Sequence, residues 1–144
     1  MFEPDEALDR LCSDVIGAAI AVQKELGPGF SEQVYENALC LEMSFREIDS
    51  LAQAPIFIRY RGKEVGTGRV DLLVQGRLIL ELKAVENLLP VHHAQRMSYL
   101  RATSLPLGLL INVNVPILKH GLRRVICSAS SRSSLHLGDG SFNG

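Results

Sequence analysis

Asp71, Glu81 and Lys83 are the residues of this chain whose types and spacing suit them to chemistry. Glu81 and Lys83 interrupt the end of an apolar run, Leu78, Ile79, Leu80 and Leu82. Residues two apart in a strand project from one face, so Glu81 and Lys83 share a side while Leu80 and Leu82 share the other. Asp71 lies on the preceding apolar segment. If Gln75, Gly76 and Arg77 form a three-residue turn, Val74 pairs with Leu78 and Asp71 falls opposite Glu81 on the same face; a two-residue turn puts Asp71 opposite Leu80, on the wrong side. Two carboxylates at strand-pair distance repel, and without compensation one holds a proton at neutral pH. A divalent cation removes the conflict. Mg2+ or Mn2+ favours carboxylate, carbonyl and water oxygens, so Asp71, Glu81 and the backbone carbonyl of Leu82 make a half-shell that water and a phosphate would complete. The competing arrangement is an exposed strand face on which a lysine bridges two acids, which is common and worth little energetically.

The elements that must position these residues follow from periodicity. Leu8, Leu11, Val15, Ala18, Ala19 and Val22 recur at three and four, predicting an amphipathic helix from Asp5 to Leu26. Gly27, Pro28 and Gly29 end it, and Ser31 is placed to cap a second helix running to about Arg46 with Val34, Ala38, Leu39 and Leu41 inward. Strands are expected at Ile56 to Tyr60, Arg69 to Val74 and Leu78 to Lys83, the last two as a hairpin. A helix follows from Val91 to Thr103, on which Gln95 and Tyr99 share one face while Ala94, Met97 and Leu100 turn towards the sheet. Leu107 to Val113 reads as a fully buried strand and Arg123 to Cys127 as a final short one. The order α-α-β-β-β-α-β-β predicts an α/β or α+β fold with a central mixed sheet flanked by helices.

A chain of 144 residues is of one-domain size. The domain is expected over residues 1–127, followed by a Ser/Gly-rich flexible tail at 128–144. Cys12, Cys40 and Cys127 are odd in number and lack a C-x-x-C pair, which argues against a zinc site or disulfide framework and favours a reducing compartment. The amino terminus is acidic, without the basic-then-apolar order of a secretory signal, and no run approaches the roughly 20 apolar residues of a membrane span; the expectation is cytoplasmic, with no membrane partner. The net charge of −1 conceals an asymmetry, since residues 1–50 carry 3 basic and 11 acidic side chains and residues 51–144 carry 12 and 5. That leaves two readings, a basic face on the second part or two parts that neutralise each other on packing.

Asp71 followed by Glu81-Leu82-Lys83 resembles the D…(E)xK core of the PD-(D/E)XK nuclease superfamily, with Val70 where the signature proline would stand. Gln95 and Tyr99 form a Q-x-x-x-Y pair similar to that of its RecB-like branch, and Gly29, Glu32 and Tyr35 spell the G-x-x-E-x-x-Y pattern of the GxxExxY family of predicted nucleases. The stretches "LGPGFSEQVYENAL", "LELKAVENLLPVHHAQ" and "GLLIN" also resemble that family. The resemblance implies a restriction-endonuclease-like core. It places Glu32 near the metal from above the sheet, Tyr35 beside it as a support or phosphate contact, and Gln95 and Tyr99 on substrate phosphate or the catalytic lysine. His92 is a second-tier candidate near the site.

The expected function is metal-dependent phosphodiester hydrolysis, with DNA as substrate by resemblance. A cation held by Asp71, Glu81 and Glu32 would supply Lewis acidity, while Lys83 positions water or stabilises charge on the phosphate. Arg59, Arg61, Lys63, Arg69, Arg96 and Arg101 are candidate phosphate contacts. The alternatives are a catalytically inactive nuclease-fold module that binds nucleic acid or protein, and a nuclease subunit that needs a homodimer or a helicase-type partner, for which the first helix offers an interface.

Overall fold

In the computed structural model of the protein, the described residues are 6–126. Cys127 and the expected tail at 128–144 lie outside the described residues. Two helices, α1 (Glu6–Leu26) and α2 (Glu32–Phe45), precede the strands β1 (Ser50–Tyr60), β2 (Lys63–Val74) and β3 (Leu78–Lys83). Helix α3 (Pro90–Thr103), strand β4 (Leu107–Asn112), a 3-10 turn at Leu118–Gly121 and strand β5 (Leu122–Ile126) complete the chain. The strands form one five-stranded sheet in sequence order; β3 and β4 pair in parallel across α3, and the other pairs are antiparallel. The predicted fold class and element order are those observed. No helix among the described residues is long and apolar enough to cross a membrane.

The sheet divides two apolar clusters. On one side α1 and α2 lay Leu8, Leu11, Val15, Leu39 and Met43 against Leu72, Leu80, Leu82, Leu109 and Ile111. On the other, Leu100 of α3 packs with Ala54, Ile56, Val70, Ile79 and Val125. Each fully buried leucine contributes roughly 1.5–3 kcal/mol relative to exposure, so β3 and β4, buried along nearly their whole length, anchor the fold. The α1 stripe is the predicted one. The inward face of α2 is the predicted one only in part: Leu39 is buried and Ala38 packs against the core, with Tyr35, Glu36 and Met43 also inward, while Leu41 is 57 % exposed and Val34 is also exposed. The four-residue step from Tyr35 through Leu39 to Met43 is the spacing that stays on one helix face. Ser31 occupies the N-cap of α2 with its carbonyl accepting from Val34 and Tyr35, though its side chain makes no capping bond.

Strand β1 begins six residues before the expected Ile56, and β2 begins at Lys63 rather than Arg69. Arg61 and Gly62 both have positive φ, the signature of a two-residue type I′ turn, so the expected loop between the strands is instead the tip of a continuous hairpin. Pro55 is tolerated because β1 is the edge of the sheet, where a missing donor leaves no ladder bond unmade.

Candidate functional site

Val74 pairs with Leu78 around Gln75, Gly76 and Arg77, the odd-length turn that puts Asp71 in register with Glu81. Positive φ at Gln75 and Gly76 lets the chain reverse in that space. The backbone pairing of β2 with β3 reaches Leu72 and Leu80 and goes no further. Beyond it the two acidic side chains complete the connection: the Asp71 N–H donates to Glu81 Oε1 at 3.1 Å and the Leu82 N–H donates to Asp71 Oδ2 at 2.8 Å. At the same level Gln53 of β1 has positive φ, and no Gln53–Asp71 pair stands between Ala52 with Leu72 and Ala54 with Val70, though the register is the same on either side. Val70 packs with the α3-side cluster and Leu72 with the α1/α2-side cluster, although residues two apart in a regular strand share a face. Asp71 sits between them.

Glu81 is 4 % exposed. Burial first, then hydrogen bonding to Asp71, pushes its carboxyl up to about 8, against the pull of Arg96 in the other direction. The pair therefore keeps a proton on Glu81 at neutral pH, as expected for two carboxyls forced together. Arg96 of α3 is 2 % exposed, and its Nη1 lies 2.6 Å from Glu81 Oε1. The N–H bonds do not line up with that oxygen, however: neither Nε nor Nη1 has a hydrogen-bond partner. The guanidinium stacks on the Tyr99 ring, its Cζ 4.4 Å from the centroid.

Sequence reasoning placed Arg96 among surface phosphate contacts, and the structure corrects this. Arg96 stands four residues before Leu100 on the inward stripe of α3, where Ala94 was expected and is exposed instead. The available signal was that spacing together with an unpaired acid on the facing strand. Arg59, Arg61, Lys63 and Arg69 are exposed on the β1–β2 hairpin, and Arg101 is half-buried.

Lys83 is half-buried two residues beyond Glu81, and its carbonyl accepts the Val113 N–H at 2.8 Å. Its ammonium makes no hydrogen bond or ion pair among the described residues. Glu32, in the first turn of α2, reaches the far end of β3, where its Oε2 accepts the Ala84 N–H at 2.9 Å. Gln95 Nε2 donates to the Tyr99 hydroxyl at 3.2 Å, so the Q-x-x-x-Y pair is formed beside the Arg96 stack.

Two candidates are taken up by local structure. Tyr35 is 1 % exposed; its hydroxyl donates to the Gly27 carbonyl and accepts the Phe30 N–H at 3.3 Å, tying the Gly-Pro-Gly loop to α2 rather than facing a cleft. The placement of Tyr35 as a phosphate contact is thereby corrected, because its polar atom is spent inside the fold. His92 Nδ1 accepts the Leu89 N–H at 2.9 Å, closing the first turn of α3. Asn112, not singled out from the sequence, holds the segment after β3 by exchanging hydrogen bonds with Val85: the Val85 N–H donates to Oδ1 at 3.2 Å and Nδ2 donates to the Val85 carbonyl at 2.7 Å.

Asp71, Glu81 and the Leu82 carbonyl are hard oxygen donors of the kind Mg2+ and Mn2+ take, and the crowded carboxyl pair is a site where added positive charge is favourable. No group of three His, Cys, Asp or Glu side chains among the described residues is close enough to share an ion, so Glu32 stands outside the pair.

No curated protein matches the chain. Among solved structures, the crystal structure of SSO0001 is 17% identical and aligns with a TM-score of 0.47, covering 73% of this chain and 55% of that one. The family model described as the PD-(D/E)XK nuclease superfamily matches residues 9–125, a span that holds every strand from β1 to β4, all three helices but for the first residues of α1, and the Asp71–Glu81 pair. On that match the chain belongs to the PD-(D/E)XK nuclease superfamily.

Proposed function

We propose that the protein is a divalent-metal-dependent nuclease that hydrolyses phosphodiester bonds in DNA, and that within the superfamily it falls in the GxxExxY family, on Gly29, Glu32 and Tyr35. The observation that carries this reading is the joining of the Asp71 and Glu81 carboxyls at the end of the β2–β3 ladder, with Lys83 two residues on along the same strand. Asp71 and Glu81, with the Leu82 carbonyl, would hold Mg2+ or Mn2+. Such an ion supplies Lewis acidity and charge screening at the scissile phosphate. Lys83, uncommitted to any ion pair among the described residues, serves as the cation that orients the attacking water or stabilises charge on the phosphate oxygens. Glu32 supports the site from the end of β3, and the Gln95–Tyr99 pair lines it from α3. The β1–β2 hairpin offers phosphate contacts through the exposed side chains of Arg59, Arg61, Lys63 and Arg69.

Titration calorimetry with Mn2+ on the wild type and Glu81→Gln, joined to a DNA cleavage assay on the wild type and Lys83→Ala, tests the proposal. Binding should be lost in Glu81→Gln and cleavage in Lys83→Ala. Cleavage by Lys83→Ala at the wild-type rate refutes the role of the lysine. A second reading, a non-catalytic nucleic-acid-binding module, is favoured by Arg96, which neutralises part of the acidic pair without any metal. It predicts DNA binding indifferent to divalent cations and no cleavage.

A further inference from the structure

Arg96 is unusual in how it is held. Its guanidinium is buried and lies at ion-pair distance from Glu81, yet Nε and Nη1 make no hydrogen bond. Buried arginine donors are ordinarily satisfied, and leaving them unmade costs free energy. The group is kept in place by charge and by its stack on Tyr99, neither of which fixes the direction of its N–H bonds. Removing one partner of a buried pair leaves the other uncompensated, so Arg96 and the acidic Asp71–Glu81 pair depend on each other.

We propose that Arg96 is a resident counter-cation of the Asp71–Glu81 pair and that a divalent ion must displace it to bind. This rests on the reading of Asp71 and Glu81 as metal ligands, and it adds a positioning residue absent from the D…(E)xK pattern. A divalent ion that takes Glu81 Oε1 competes for that oxygen with the guanidinium 2.6 Å away, and the two like charges repel at near-contact distance. Ion entry therefore moves the guanidinium away from Glu81, and no aligned hydrogen bond at Nε or Nη1 holds it back. The arginine thus sets the affinity of the site for metal by competition. It keeps the buried acids compensated when the ion is absent.

Calorimetric titration with Mn2+ of the wild type, Arg96→Met and Glu81→Gln at one pH separates the two layers of the reading. Loss of binding in Glu81→Gln with binding in the wild type supports the metal site itself. Binding by Arg96→Met at least about fivefold tighter than wild type, the lower end of ordinary site-to-site coupling, supports the exchange. Equal or weaker binding in a folded Arg96→Met, with the wild type still binding, overturns the exchange and leaves the metal site standing. Failure of both the wild type and Arg96→Met to bind overturns both. If Arg96→Met does not fold, the wild type still decides: the side-chain Nε–Hε resonance of Arg96, assigned by its loss in Arg96→Lys, should shift when the protein is saturated with Mg2+. An unmoved resonance at saturation refutes displacement.

Discussion

Replacing Glu81 with glutamine should change how stability depends on pH, in a manner that follows from the burial of that carboxyl. The folded protein holds the Glu81 proton up to about 8, against an ordinary value of 4.5. Below the ordinary value both folded and unfolded states carry the proton and the group is neutral in the balance. As pH rises through the interval, the unfolded chain releases the proton while the folded one keeps it, so stability falls by about 1.4 kcal/mol per pH unit. Above the folded value both states are ionised and the loss is complete, on the order of 5 kcal/mol as a ceiling. Glutamine preserves an oxygen to accept the Asp71 N–H and cannot ionise, so it reproduces the protonated state at every pH. Glu81→Gln and wild type should be about equally stable near pH 4, and the variant should gain steadily from there to about pH 8. Urea denaturation of both proteins over this range, in chelator, measures the difference, in which other titrating groups cancel. A difference that stays constant with pH would refute the account of a buried, proton-holding Glu81.

Lys83→Ala should reduce DNA cleavage by about 100-fold or more while shifting unfolding free energy by under about 0.5 kcal/mol, because its ammonium supports no contact among the described residues; parallel cleavage assays and denaturant melts check the pair of outcomes. Tyr35→Phe removes a buried hydroxyl that both donates to Gly27 and accepts from Phe30, and a loss of about 1–3 kcal/mol with unchanged Mn2+ binding is expected by denaturation and calorimetry. Gly121→Ala would drive a Cβ into the Asn112 carbonyl oxygen, a backbone atom with little room to give, so destabilisation of about 1–3 kcal/mol should appear as a lowered denaturation midpoint.

The parts of the fold that sequence made legible are those with one dominant period. Leu8, Leu11, Val15 and Val22 repeat with the helix, and the run Leu107 to Val113 is apolar enough to read as a covered strand, observed over Leu107–Asn112. The reach of the β1–β2 hairpin was hidden because Gly62, Gly66 and Gly68 read as loop residues. In the structure Gly62 makes the turn, and Gly68 admits the close approach of Ile56 and the Tyr99 hydroxyl. The face of α2 was partly misread because Leu41 is apolar but exposed, and Glu36 is charged but buried, its carboxylate accepting from Gln53. At the site, the facing of Asp71 and Glu81 followed from the length of one turn, whereas the inward Arg96 depends on a partner across the sheet that no local period encodes. The grouping of Glu32 with the pair was expected from resemblance, and among the described residues it is not formed.

The two acids on β2 and β3 stand in for backbone at the place where the strands part, each taking an amide that the ladder leaves over. A descendant of this protein that had abandoned cutting would still need oxygens there to keep its strands together. Acidic side chains at those two positions thus testify to architecture as much as to reactivity. Lys83 carries no such structural debt among the described residues, which makes its replacement in a related chain the more telling sign that the chemistry has been given up.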